Sequence, residues 1–262
     1  MYYINLVKEQ VKISFMSAAI YRAHFLLMLL QSIINSVLGV LCVEFIYLHV
    51  DYVAGWSKNE MIILYCTSMI VNQLYRGLIN PNHMRFLGSV SDGSFDRMLV
   101  KPVNIIFQIN TGALDCSSLF SLAAPVFILI IKLCSLDINL TGLNIILFLI
   151  LVTNALLILA SFMMLLYTLV FRHIKVYALA EIYYILMGVS ERPKEIFSHK
   201  TVIYAFAFLI PAIPLANIPA SVLLGKGGFT DVAYALVSGA VFSVISALAV
   251  KRGLRKYSSA SS

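Results

Sequence analysis

Long apolar runs alternate with short polar interruptions along the whole chain. The runs lie at about His24 to Tyr47, Glu60 to Ile79, Ile105 to Leu133, Leu143 to Val170, Val176 to Val189 and Val232 to Val250. Crossing a hydrocarbon core takes roughly 20 apolar residues as a helix. Most of these runs reach that length; the fifth is short. The pattern predicts an all-α polytopic membrane protein with six transmembrane helices, residues 1–262 forming a single transmembrane domain. No polar segment is large enough to fold separately.

Three stretches depart from the spanning pattern. In residues 1–22, Tyr3, Val7, Val11 and Phe15 share one helical face, with Asn5, Lys8, Glu9 and Lys12 on the other. This spacing predicts a helix lying in the membrane interface. Residues 190–225 begin polar, turn apolar at Thr201, and carry Pro211, Pro214 and Pro219. Each proline removes a backbone donor and kinks a helix, so a pair of re-entrant half-helices is expected there instead of a straight span.

The third stretch, residues 88–104, reads GSVSDGSFDRMLVKPVN. Ser91 or Asp92 caps a helix start, Gly93 permits the turn, and Pro102 ends the helix. Phe95, Met98 and Leu99 fall at i, i+3 and i+4, so a two-turn helix carries them on one face. Asp96, Arg97 and Lys101 point elsewhere. Such a helix offers a small apolar face to something outside the bilayer, or else the stretch is a solvated loop.

Composition agrees with the pattern. The chain is 61% hydrophobic and only 12% charged, against about a quarter charged for soluble domains. The net charge of +7 is a matter of membrane orientation, not of nucleic acid. With six spans, the N-terminus, the central stretch, residues 171–175 and the tail share one side. That side and its flanks hold 13 of the 19 Lys and Arg, which makes it cytoplasmic by the positive-inside rule. Cys42, Cys66, Cys116 and Cys134 show no metal-like spacing and are expected as free thiols. No secretory signal is expected, because the first apolar run is too long for one.

Polar residues within the spans are candidates for helix contacts or for a pathway, since lipid cannot satisfy them. Gln31 and Asn35 form such a stripe in the first span, and Asp115 interrupts the third. Glu181 either pairs with Arg172 or Lys175, or lines a pathway with Tyr177, Tyr184 and Gly188. An ion-coupled transporter using Asp115, Glu181 and Glu44 is the alternative function. Its usual internal repeats are not evident. The five histidines lack HExxH or similar spacing, which argues against an intramembrane enzyme.

The central stretch contains Gly93-Ser94-Phe95-Asp96-Arg97-Met98-Leu99-Val100-Lys101-Pro102-Val103-Asn104. It resembles the Gly-x-(Leu/Phe)-Asp-x-x-Leu-x-(Lys/Arg)-Pro-x-Asn signature of a branch of the ABC-2 type ABC transporter permeases. Arg192-Pro193, Ile196-Phe197, Ile210-Pro211, Ile218-Pro219 and Leu224-Gly225-Lys226 form a second similar segment. The resemblance implies that Asp92, Gly93, Phe95, Asp96, Arg97, Met98, Leu99, Lys101 and Pro102 form a coupling helix docking on a separate ATPase. It further implies two ATPase copies, a second permease, identical or related, surrounding membrane lipids, and no nucleic acid partner. The half-helices with Pro211, Pro214 and Pro219 would close an export pathway for a lipid, peptide, antibiotic or drug. The implied location is a bacterial inner membrane, with both termini cytoplasmic. No GxxxxGK[ST] loop is present, Gly225-Lys226 being followed by Gly227-Gly228. ATP and magnesium are therefore expected on the partner, with no cofactor and no catalytic or metal site in this chain.

Overall fold

The computed structural model describes residues 2–136, 141–171, 179–197, 199–255 and 257. A 19-residue helix α1 (Tyr2–Ile20) leads into the first spanning helix α2 (Arg22–Ile46). The chain turns back through Val53–Trp56, where Ala54 and Gly55 adopt positive φ of 52° and 82°. The Ser57 amide then donates to the Glu60 carboxylate at 2.9 Å, which fixes the start of α3 (Lys58–Leu78).

The second span does not end at Ile79. It bends by 46° and continues as α4 (Asn80–Ser91). Pro81, near the start of α4, is a residue that opens a helix readily but cannot donate back to the preceding turn. Residues 88–91 of the central stretch are thus helical, and Ser91 ends a helix where it was expected to start one.

After the one-turn helix α5 (Asp96–Leu99), the expected third span divides. A short α6 (Ile105–Asn110) is separated by an extended link from α7 (Cys116–Phe120) and α8 (Ala123–Cys134). The spanning portion is Cys116–Cys134, shorter than the run from Ile105 suggested. Asp115 marks the break because its carboxylate caps α7, accepting from the Ser117 amide at 3.0 Å.

The fourth span, α9 (Gly142–Tyr167), is capped by Thr141 and extends to Phe171. Of the short fifth span, α10 (Ala180–Ser190) is described. Next come α11 (Lys200–Tyr204), which runs on as a wider turn to Leu209, and α12 (Ile213–Leu223). These two segments meet at 101° across Pro211, as the proline cluster predicts. The last span is α13 (Phe229–Leu254). Among the described residues, four helices are long and apolar enough to cross a membrane, or six when each bent pair counts as one.

The core forms around α3, α9 and α12. Ile62, Ile63, Leu64, Val71 and Tyr75 of α3 are buried, and every residue of α12 is buried. By contrast α2 exposes Leu26, Leu27, Leu30, Ile34, Leu38 and Leu41. A soluble protein does not carry so large an apolar face in water; in a membrane-spanning chain such a face is one that lipid or another subunit covers.

Candidate functional site

The central loop is built on one buried ring. Phe95 is fully buried, its ring within 5.8 Å of Phe86, Phe171 and Tyr257 by centroid. Those partners come from α4, the end of α9 and the segment after α13. The turn feeding Phe95 is made by Gly93 at φ 74°, which a side chain would strain, and by Asp92, which accepts from the Ser94 amide at 2.8 Å. Ser94 holds the Asp92 carboxyl below the usual range. The Phe95 amide then donates to the Ser89 carbonyl at 2.9 Å, fastening the loop to α4.

Gln108, buried on α6, closes the other side. Its amide donates to the Met98 carbonyl at 3.1 Å and to the Val103 carbonyl at 2.9 Å. Asn104 caps α6 through the Ile106 amide at 2.9 Å. Burial, followed by the Asp96 carboxylate beside it, pushes the Tyr257 phenol up.

This geometry corrects the expected apolar face. The helix is a single turn, and Phe95 points inward among aromatic rings while Met98 packs against the core. The outward apolar side chains are Leu99, 44% exposed, and its neighbour Val100, 81% exposed. Spacing placed Phe95 with Leu99 on one face; the ring turned inward because three aromatic partners from distant elements form a pocket for it. Arg97, Lys101 and Pro102 are exposed and line a groove against α1.

The other predicted residues are scattered. Gln31 and Asn35 are exposed on α2, where the Tyr65 hydroxyl donates to the Asn35 carbonyl at 3.2 Å. Asp115 is occupied as a cap, accepting also from Ser118 Oγ at 2.7 Å and from Ser117 Oγ. Glu44 is paired with Lys58 at 3.1 Å and Lys132 at 3.2 Å. Glu181 and Tyr184 lie exposed on α10, while Tyr177, Arg172 and Lys175 fall outside the described residues. Pro211, Pro214 and Pro219 are all buried at or beyond the 101° bend.

Several connecting residues carried no signal in the sequence. Buried Asn217 accepts from the Lys194 amide at 2.8 Å and donates to the carbonyls of Ser190 and Arg192. It ties α12 to the segment after α10. Trp56 Nε1 donates to Glu195 at 3.1 Å, and Lys226 pairs with Glu60 at 2.8 Å, so the far end is cross-linked as well. Near the bend in α3–α4, His83 lies fully buried between the Tyr75 hydroxyl at 3.2 Å and Asn110 Oδ1 at 3.1 Å. Asn82, also buried, bridges to the Ala113 amide and carbonyl. All are single polar residues whose partners are remote in sequence.

A further open cavity of about 820 Å³ lies between α9 and α13, reaching Ile79, Ile106 and Asn110. It is mostly apolar, with Thr153, Asn154, Ser161, Ser243 and Ser246 among its lining. No metal-like cluster of His, Cys, Asp or Glu occurs among the described residues.

Neither a curated protein nor a solved structure matches the chain. A family model does, described as an ABC-2 family transporter protein, over residues 33–261. That match runs from within α2 to past α13 and includes the whole central loop. With its spanning helices and most of its length matched, the chain belongs to the ABC-2 family of ABC transporter permeases.

Proposed function

We propose that this permease is the membrane subunit of an ATP-driven exporter of a hydrophobic or amphipathic cargo, driven by a separate ATPase that docks on the central loop. One observation carries the reading. The loop presents Leu99 and Val100 outward while Phe95 anchors it to α4, the end of α9 and the segment after α13. A partner gripping the exposed pair would move three elements together. Force applied at a loop without such an anchor would be lost in bending it.

In this reading two ATPase copies serve two permeases, identical or related. The central loop and both termini are cytoplasmic, in a bacterial inner membrane. The bent pair at Pro211 closes the far end of the pathway. ATP and magnesium are handled by the partner, as the lack of a phosphate loop here supports.

The test replaces Leu99 and Val100 together by alanine. Burial of two such side chains contributes about 3–6 kcal/mol at most, enough to weaken docking by orders of magnitude. The double variant should insert and elute as the native chain does, yet lose the ATPase in pull-down or lose cargo-stimulated ATP turnover. Unchanged association and unchanged turnover would refute the coupling role.

A further inference from the structure

We propose that the groove between α1 and the central loop binds the phosphate of an anionic membrane phospholipid. The groove has a volume of about 580 Å³ and is lined by Arg85, Arg97 and Lys101, with no acidic side chain. With no carboxylate in the lining, and Asp92 beside Arg97 lying outside it, three cations leave a positive field that an anion in the groove would neutralise.

Arg85 is held in place for that purpose. Its Nη2 donates to the Thr111 carbonyl at 3.1 Å and to Asn82 Oδ1 at 3.3 Å, yet the residue remains exposed. The guanidinium lies against Gly112, where a Cβ would come within 2.0 Å of Nη2. A side chain there would displace the guanidinium, and the φ of 141° at Gly112 is one that residues with a Cβ rarely adopt. Arg97 and Lys101 are exposed, and the described residues hold no ion pair to either.

The surroundings select a lipid over a bare ion. Leu6 and Phe107 give the groove apolar walls, and Tyr3 of α1 packs edge-on against Phe107 at 4.8 Å. Along the same α1, Ile4, Val7, Ile13, Phe15, Met16 and Ile20 are exposed. A helix with that much exposed apolar surface, flanked by Lys8 and Lys12, lies in the boundary between headgroups and acyl chains. The groove beside it therefore opens at headgroup level. A phosphodiester with glycerol attached satisfies both the cations and the walls; inorganic phosphate satisfies the cations alone. The bound lipid would tie α1, otherwise lightly packed, to the central loop.

The experiment needs no ATPase, so its failure is distinct from failure of the coupling reading. The full-length permease is stripped of lipid in detergent, then given phosphatidylglycerol or phosphatidylcholine, and retained lipid is counted by native mass spectrometry. Phosphatidylglycerol should be retained in preference, and millimolar inorganic phosphate should not displace it. Arg97→Gln with Lys101→Gln, both exposed and harmless to folding, should cut retention about tenfold or more. Arg85→Gln, eluting as the native chain does, should do the same, while Arg85→Lys keeps part of the binding. Equal retention of the two lipids, or no change in the double variant, overturns the proposal. Displacement by inorganic phosphate would make this a free-phosphate site.

Discussion

At the residue scale, Phe95 decides how the central loop works. Its ring contacts three aromatic residues from separate elements and is fully buried. Truncating a buried aromatic side chain costs about 3–5 kcal/mol. Phe95→Ala should therefore lower the thermal unfolding temperature of the detergent-purified permease as well as weaken ATPase association. Leu99→Ala with Val100→Ala should leave that temperature unchanged. If Phe95→Ala unfolded at the native temperature, the anchor role would be wrong. The signature residues thus divide by environment: Gly93 and Asn104 shape the backbone, Phe95 fastens it, and Leu99 faces outward. A motif lists these residues side by side, but only packing separates the structural ones from those available to a partner.

At the element scale, the most extensive helix pairing among the described residues is between α9 and α13. Ala235, Gly239, Ser243 and Ala247 recur every fourth residue, which places small side chains along one stripe. Ala235 is fully buried and its carbonyl accepts from Asn154 at 2.8 Å, and Ser243 lies 3.2 Å from Ser161. A Cβ at Gly239 would approach Asn154 Oδ1 to 2.1 Å. Gly239→Leu should push the helices apart and reduce the yield of monodisperse protein severalfold, as size-exclusion chromatography would read. Leu236→Ile, at a residue 42% exposed, should have little effect. Equal yields would remove the close-packing role. The stripe was visible from spacing alone, whereas its partner Asn154 was not. Nothing in a long apolar run indicates which distant helix will use its single amide.

At the scale of the whole molecule, the two ends are fastened differently. The central-loop end is held by aromatic rings and by Gln108, the opposite end by Trp56–Glu195, Glu60–Lys226 and Lys194–Asp231. Lys226 also lies over the Trp56 ring at 5.3 Å. With Cys42 and Cys134 replaced by serine, single cysteines at Val100 and Phe229, both exposed, report the two ends. In intact cells an impermeant thiol reagent should label position 229 and leave position 100 unlabelled until the membrane is opened. The reverse result would invert the orientation, and labelling at both positions would overturn the six-span topology.

How much was legible follows from the range of each interaction. The apolar spans, the helical α1, the turn at Gly93 and the kink at Pro211 depend on runs of apolar residues or on a single backbone restriction. Such information is local, and the sequence by itself determined those features together with the family. The continuation of the second span through α4, the division of the third at Asp115, and the burial of Phe95 depend on partners many residues away. A helix face looks the same in sequence whether lipid, a neighbouring helix or another subunit covers it. Tertiary structure alone decided that Phe95 is covered and Leu99 and Val100 are open, that Asp115 and Glu44 are already satisfied, and that Arg85, Arg97 and Lys101 converge on one groove. The physical reason is that burial and charge pairing are properties of assembled surfaces, formed only when elements distant along the chain meet.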